Sequence, residues 1–381
     1  MAATTGQVAP AQEAGRPQPQ TTIEPPGGPF IRHSQPGRRS QYVVVNQAFS
    51  GLITQPLVAV PGYLSKFRLR VAATGGSGAS TAQPDAPFSA VALVTLRDAF
   101  GTPLLVGPGY EILYLVPKYS SQHGILALSD MKNGVIYSAP AASGGNFTFA
   151  TALPLEFAKA YGLISMANAS LLPTLQFQLA AAGAVYSSLP ATTVPTMEFD
   201  LDADFYWLPE GVAVEPPGLG TTCQWVFQNA NPTVPSNSST IVTLPRLGGF
   251  LHTIILELRD STGARIDAWG TRMRVYVDGV PLLDTRFDTL QDDMQIQYGG
   301  VTTATWSRDT GVIAISRRTS LSQINLGLLD TGETFLSTNP GTLIQVECSP
   351  WGVIANAPAT LSAIIGQVVP AGSLLQGLPE L

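Results

Sequence analysis

The phrase LRDAFG (Leu96–Gly101) returns as LRDSTG (Leu258–Gly263), 162 positions later, each time behind an apolar run, VALVT in one case and TIILE in the other. Asp-x-x-Gly is turn chemistry: the Asp side chain binds backbone ahead of it, and Gly accepts the left-handed conformation that closes a tight turn. An apolar run ending in such a turn reads as a strand entering a hairpin or corner. One shared phrase is weak by itself, so its company decides. PTLQFQ resembles PGTLIQV, with Thr174 and Thr342 168 positions apart. Before each stands a strand-like run and then a helix-like one: NFTFATA with LPLEFAKAYGL, and GVIAISRR with TSLSQINLGLL. Three features in the same order at a nearly constant offset predict two copies of one β-unit of roughly 140–170 residues. The competing reading is two unrelated sandwiches that share a common turn.

The rest of the chain fits short strands. QYVVVNQAF, GYLSKFRLRVAA, SAVALVTLRD, YEILYLV and GVIYSA are apolar or alternating runs, separated by clusters such as TGGSGASTAQPDAP. LPLEFAKAYGL predicts one short helix, with Pro154 near its first turn. TMEFDLDADFYW (Thr196–Trp207) returns to strand, and LPEGVAVEPPGLGTT reads as a linker. The series restarts with CQWVFQNA, STIVTLP, FLHTIILELRD, TRMRVYVDG, VTTATWSR and GVIAISRR, and NPGTLIQVEC supplies a last strand. A unit of this length holds about eight strands, and eight antiparallel strands in two Greek keys make a jelly roll. The expected fold is therefore all-β: two tandem eight-stranded jelly-roll barrels, a double jelly roll, with short helices in loops. The expected divisions are an extended arm over 1–40, barrels over 41–210 and 223–358, a linker over 211–222, and a C-terminal docking tail over 359–381.

Composition narrows the function classes. Charged residues make up 12% of the 381, about half the usual ~25%. So few charges solvate a free monomer poorly, and burial against other subunits is the simplest remedy. The net charge of −6 argues against a nucleic-acid partner, which calls for a basic footprint. The opening MAATTGQVAPAQ has no apolar core, so no secretory leader is expected. No run of ~18 apolar residues is free of Pro and Gly, so no spanning helix is expected either. Two cysteines are too few for a disulfide framework and show no metal-ligand spacing; reduced thiols made in a host cytoplasm are the default.

A Pro-rich arm, two tandem β-units and a sparsely charged surface together resemble the double jelly-roll major capsid proteins of tailless, membrane-containing icosahedral phages of the tectivirus type. The likeness is architectural and covers about residues 41–358. It has no short diagnostic motif, so no functional residue is carried over. It implies a structural protein and not an enzyme. Homotrimers would tile a virion shell as pseudo-hexagonal capsomers, in contact with neighbouring capsomers and minor capsid proteins. The arm would run beside neighbours or near an inner membrane. A second reading is a phage spike or tail-tip protein whose sandwiches bind carbohydrate, for which Trp225, Trp269, Trp306 and Trp351 are the aromatic candidates.

Little site chemistry is visible. Glu198, Asp200, Asp202 and Asp204 alternate with Phe199, Leu201, Ala203 and Phe205. On a strand all four carboxylates share one face, about 6.6 Å apart in succession. Such a face needs solvent, basic partners or a cation. An EF-type Ca²⁺ loop is excluded, because Phe205 stands where the sharp turn needs Gly. His33, His123 and His252 lack metal-ligand partners at i+3 or i+4, and no phosphate-loop or nucleophile-elbow motif is present. No cofactor is expected. If first and last strands of the second barrel pair, Cys223 and Cys348 come near each other, within ~7 Å between Cα atoms.

Overall fold

A computed structural model describes residues 28–120, 135–157, 160–217, 219–228, 233–244, 248–298, 310–316, 336–339 and 341–370. A short helix, α1 (Gly28–His33), precedes twelve strands. They are β1 (Gln35–Gln47), β2 (Leu52–Ile53), β3 (Tyr63–Thr74), β4 (Thr81–Ala82), β5 (Val91–Arg97), β6 (Pro103–Gly107), β7 (Ile136–Ser138), β8 (Phe147–Pro154), β9 (Ile164–Ser165), β10 (Thr174–Leu179), β11 (Tyr186–Ser188) and β12 (Thr196–Trp207). Strict alternation drives the long ones. Along β12 every second residue from Met197 to Phe205 is buried, and β10 alternates exposed and buried throughout. That period places one face on a core and leaves the other outside.

The second half supplies β13 (Thr221–Gln228), β14 (Thr233–Val234), β15 (Ile241–Thr243), β16 (Gly249–Arg259), β17 (Arg272–Val277), β18 (Val280–Arg286), β19 (Val312–Ser316), β20 (Leu336–Thr338), β21 (Ile344–Cys348) and β22 (Ala359–Pro370). Both halves follow one plan. In the first, the sheets run β1-β12-β3-β8 and β2-β10-β5-β6; in the second, β13-β22-β16-β19 and β15-β21-β17-β18. Counting the eight principal strands of each half in chain order, each barrel has one sheet ordered first, eighth, third, sixth. The other is ordered second, seventh, fourth, fifth. That is the jelly roll. The halves are fused: β6 pairs with β13 through Leu105↔Trp225 and Val106↔Val226, in parallel, joining one sheet of each barrel into a single sheet. One continuous apolar core runs through both barrels, from Ile53 to Val368.

The opening repetition has an unexpected basis. The two LRD phrases make the same turn. Asp98 Oδ1 accepts from the backbone N–H of Phe100 and Thr102, and Asp260 Oδ1 from those of Thr262 and Ala264. Arg97 and Arg259 donate to the carbonyls of Gly101 and Gly263 at 3.1 and 3.0 Å, and both glycines have positive φ. Yet β5 is the fourth strand of its barrel and β16 the third of the other. The phrases are shared turn chemistry, not equivalent positions. PTLQFQ and TLIQV do lie on equivalent seventh strands, β10 and β21. The spacing between counterparts drifts, from Tyr63 and Gly249, 186 positions apart, to Thr196 and Ala359, 163 apart, because the intervening loops differ in length.

Several expectations need correction. Residues 359–370 are not a docking tail: β22 is the eighth strand of its barrel, lying between β13 and β16. The arm does not reach residue 40, because β1 pairs with β12 from Gln35, and Phe30 of α1 packs edge-on against Tyr63 and Tyr206. The run YEILYLV is not a strand. Glu111–Leu115 forms a π-helical turn that continues into helix α2 (Val116–Ser120). Tyr110 through Val116 are all buried, and a short run apolar on every side suits a buried helical plug as well as a strand. Among the described residues of LPLEFAKAYGL none is helical, and β8 holds its register with β3 through Leu153 and Pro154. Its Glu156 then accepts from the Ala160 N–H in a turn. The helix expected over TSLSQINLGLL and the strand over VTTATWSR fall outside the described residues. The sequence does not signal helix α3 (Phe287–Tyr298), on which Leu290 and Met294, four apart, are buried.

Candidate functional site

The acidic strand sits between two basic neighbours. On β12, Asp200, Asp202 and Asp204 lie opposite Arg70, Arg68 and Lys66 of β3, while Asp204 lies opposite Arg38 of β1. Asp204 takes an Arg38 Nε at 2.6 Å on one oxygen and an Arg68 Nε at 2.5 Å on the other. Glu198 is 3.9 Å from Arg70. Burial pushes the Asp204 carboxyl upward, but hydrogen bonds from Arg38 and Arg68 outweigh it and hold the group below the usual aspartate range. Cross-strand guanidiniums thus offset the repulsion along this face. Among the described residues, no group of three or more His, Cys, Asp or Glu side chains is arranged to hold a metal ion.

A denser cluster lies where the barrels meet. Asp85 and Glu111 come from the first barrel; Glu257, Arg259 and Arg265 come from the second, on β16 and just beyond its turn. Arg259 reaches Asp85 at 2.8 Å, Glu257 at 2.7 Å and Glu111 at 3.5 Å. Arg265 bonds Asp85 at 2.8 Å, and its guanidinium lies 4.5 Å from the centre of the Tyr110 ring. Glu111 and Glu257 are buried, at 4% and 1% exposure. Burial first, then the adjacent Glu257 carboxylate, hold the Glu111 carboxyl well above the usual range against the pull of Arg259. Burial raises Glu257 as well, again opposed by Arg259. A cleft of about 460 Å³, lined in part by Gln83, Asp85, Ser89, Arg259 and Arg265, opens beside the cluster.

No protein-family model matches the chain, and no curated protein matches its sequence. Solved structures do match. The structure of Sulfolobus Turreted Icosahedral Virus aligns at a TM-score of 0.56 and 15% identity, covering 91% of this chain and 94% of that one. The PBCV-1 virus capsid aligns at 0.54 and 12%, covering 89% and 95%. The major capsid protein P2 from bacteriophage PM2 aligns at 0.51 and 9%, covering 89% and 99%. This is the double jelly-roll fold of viral major capsid proteins. Near-complete coverage of both partners means that the tandem pair, and not one sandwich alone, is the shared feature.

Within this double jelly roll Cys223, His252 and Cys348 are interior. Cys223 Sγ lies 3.1 Å from His252 Nε2, and His252 Nδ1 lies 3.0 Å from Thr253 Oγ1. Both Cys223 and His252 are almost fully buried, and Trp225 packs edge-on against the imidazole. A sulfur and an imidazole enclosed in this way satisfy each other's hydrogen bonding and have no open face for a substrate. Cys223 pairs across to Val368 on β22, whereas Cys348 lies opposite Met273 in the other sheet of the barrel; neither is in a disulfide. Strand pairing therefore does not join the two, because Cys348 is on the seventh strand and not the last. Burial pushes the Cys348 thiol up to about 12. His33 ends α1, and His123 lies outside the described residues. The junction cluster escaped sequence reasoning. Its signal was a single Glu inside each of two apolar runs, YEILYLV and TIILELR.

Proposed function

We propose that this chain is a major capsid protein, with a structural and non-enzymatic role in the virion. Three copies form a pseudo-hexagonal capsomer from six barrels, and capsomers tile an icosahedral shell over an internal membrane of the tectivirus kind. Neighbouring capsomers and minor capsid proteins are its partners, and residues ahead of α1 reach toward them or the membrane. Its folded units are 35–207 and 221–370, joined by the intervening linker. The carrying observation is the pair of barrels fused through β6 and β13, together with likeness to capsid structures over nine-tenths of the chain. The low charge content supports burial on several sides, as do exposed apolar side chains such as Val43, Val45, Phe250 and Val353. The four-carboxylate face is proposed as an Arg-paired wall and not a cation site. Among the described residues no helix is long and apolar enough to cross a membrane.

The spike reading needs an aromatic pocket at one end. Trp225, Trp269 and Trp351 are instead fully buried, and Trp269 packs against Trp351 in the core. The test is the mass and negative-stain image of the purified full chain. A trimeric mass with flat, six-cornered particles is expected. A stable monomer, or elongated fibres, would remove the capsomer reading.

A further inference from the structure

We propose that the two barrels are clasped by a single proton shared between Glu111 and Glu257, and that loss of this proton loosens the junction. Among the described residues three carboxylates, Asp85, Glu111 and Glu257, meet two guanidiniums, Arg259 and Arg265. Fully ionised, the cluster carries one excess negative charge, and Glu111 and Glu257 hold theirs almost wholly buried. An uncompensated buried charge is among the costliest features a fold can hold.

Hydrogen bonding points the same way. Glu111 Oε2 and both carboxyl oxygens of Glu257 find no aligned donor, although Glu257 Oε1 lies 2.7 Å from Arg259 Nη2. The two carboxyl groups meet around one nitrogen: Glu111 Oε1 and Glu257 Oε1 lie 3.5 and 2.7 Å from Arg259 Nη2. As two carboxylates they are acceptors facing acceptors. One proton turns Glu111 into a donor and Glu257 into its acceptor, and brings the cluster to neutrality. The groups facing this pair are Arg259 on β16 itself, Asp85 from the loop before β5, and Arg265 and Tyr110 stacked behind. Each glutamate comes from a different barrel, so the shared proton is a bond across the junction. The parallel β6–β13 pair and the Gln224 Nε2 to Pro103 carbonyl bond of 2.6 Å join the same two barrels. The clasp belongs to one chain and is the same whichever assembly that chain builds.

The sign follows from linkage. A carboxyl raised in the folded state binds its proton more tightly folded than unfolded. Its stabilisation is fully present below the unfolded value of ~4.3 and is lost as pH rises through the folded value. Glu111→Gln keeps the shape and the donor but cannot ionise. Thermal unfolding of the full-length wild type, E111Q and E257Q between about pH 5 and about pH 9 tests this. The wild-type midpoint is expected to fall with rising pH relative to both variants, and amide exchange in β6 and β13 to speed up in the wild type alone. Superimposable pH profiles for the three proteins would overturn the proposal. Should the variants not fold, infrared spectra of wild type carrying ¹³C-labelled glutamate give the same answer. A protonated glutamate band at neutral pH, lost on alkalinisation together with junction protection, is expected, and its absence at neutral pH refutes the shared proton.

Discussion

At the scale of single residues, close packing sets sharp limits. Gly366 on β22 lies where a Cβ would come within 2.5 Å of the His252 ring and 2.6 Å of the Trp225 ring. Both rings are locked, one by Cys223 and Thr253, the other by the barrel wall. Gly366→Ala is therefore expected to destabilise the chain by about 1–3 kcal/mol through overpacking, measured as a lower denaturant midpoint with an unchanged slope. A neutral effect would mean that the Cys223–His252 pair has room to shift. Residue-level reading of the sequence worked where a local pattern has one outcome. Asp98 and Asp260 were legible as turn formers, because an Asp that binds backbone two and four residues ahead depends only on its immediate neighbours. The same locality explains why LRD misled as a marker of equivalence: the turn serves any strand that ends there.

At the scale of elements, the alternating strands were the most legible part. TMEFDLDADFYW was read as a strand with its carboxylates on one face, and β12 spans the same residues with Asp200, Asp202 and Asp204 on the half-buried side. The partners that neutralise that side come from β1 and β3, more than a hundred residues upstream, and nothing local identifies them. Asp204→Asn removes the bridge to Arg38 and Arg68, and because Arg38 is half exposed the cost is expected to be about 1 kcal/mol. The sign with pH is opposite to that at the barrel junction. The Asp204 carboxyl is lowered in the fold, so its contribution is present above the unfolded value of ~3.9 and vanishes as pH falls through the folded one. Wild type and D204N should converge in melting temperature in acid and separate near neutrality. A gap that persists in strong acid would place the effect in packing and not in the ion pairs. The helical plug within YEILYLV was illegible for a different reason: a seven-residue run, apolar but for Glu111 and its tyrosine hydroxyls, has no periodicity to read.

At the scale of the whole molecule, the parallel contact between β6 and β13 turns two barrels into one body, and the charged cluster joins the same two barrels. Arg259 is the hub, touching Asp85, Glu111 and Glu257. Arg259→Met leaves those carboxylates buried without their main cation and is expected to cost about 3–5 kcal/mol. Adding Glu257→Met to it removes the excess charge again, so the double variant should recover much of the loss in calorimetric stability. No recovery would show that Arg259 acts through its contacts with the Gly263 carbonyl and the Tyr110 ring instead of through charge.

The sequence by itself determined that the chain is built of short strands in two similar series, that it is sparsely charged, and where the acidic face and the Asp turns fall. Those are properties of composition and of periodicities only a few residues long. Only the tertiary structure decided which strands are counterparts, that Ala359–Pro370 completes the second barrel, and that two lone glutamates, Glu111 and Glu257, face one arginine, Arg259. The physical reason is that sheet pairing and burial of charge are non-local. A strand states its own alternation but not its neighbour, and a glutamate in an apolar run does not reveal whether a guanidinium or a second carboxyl will face it.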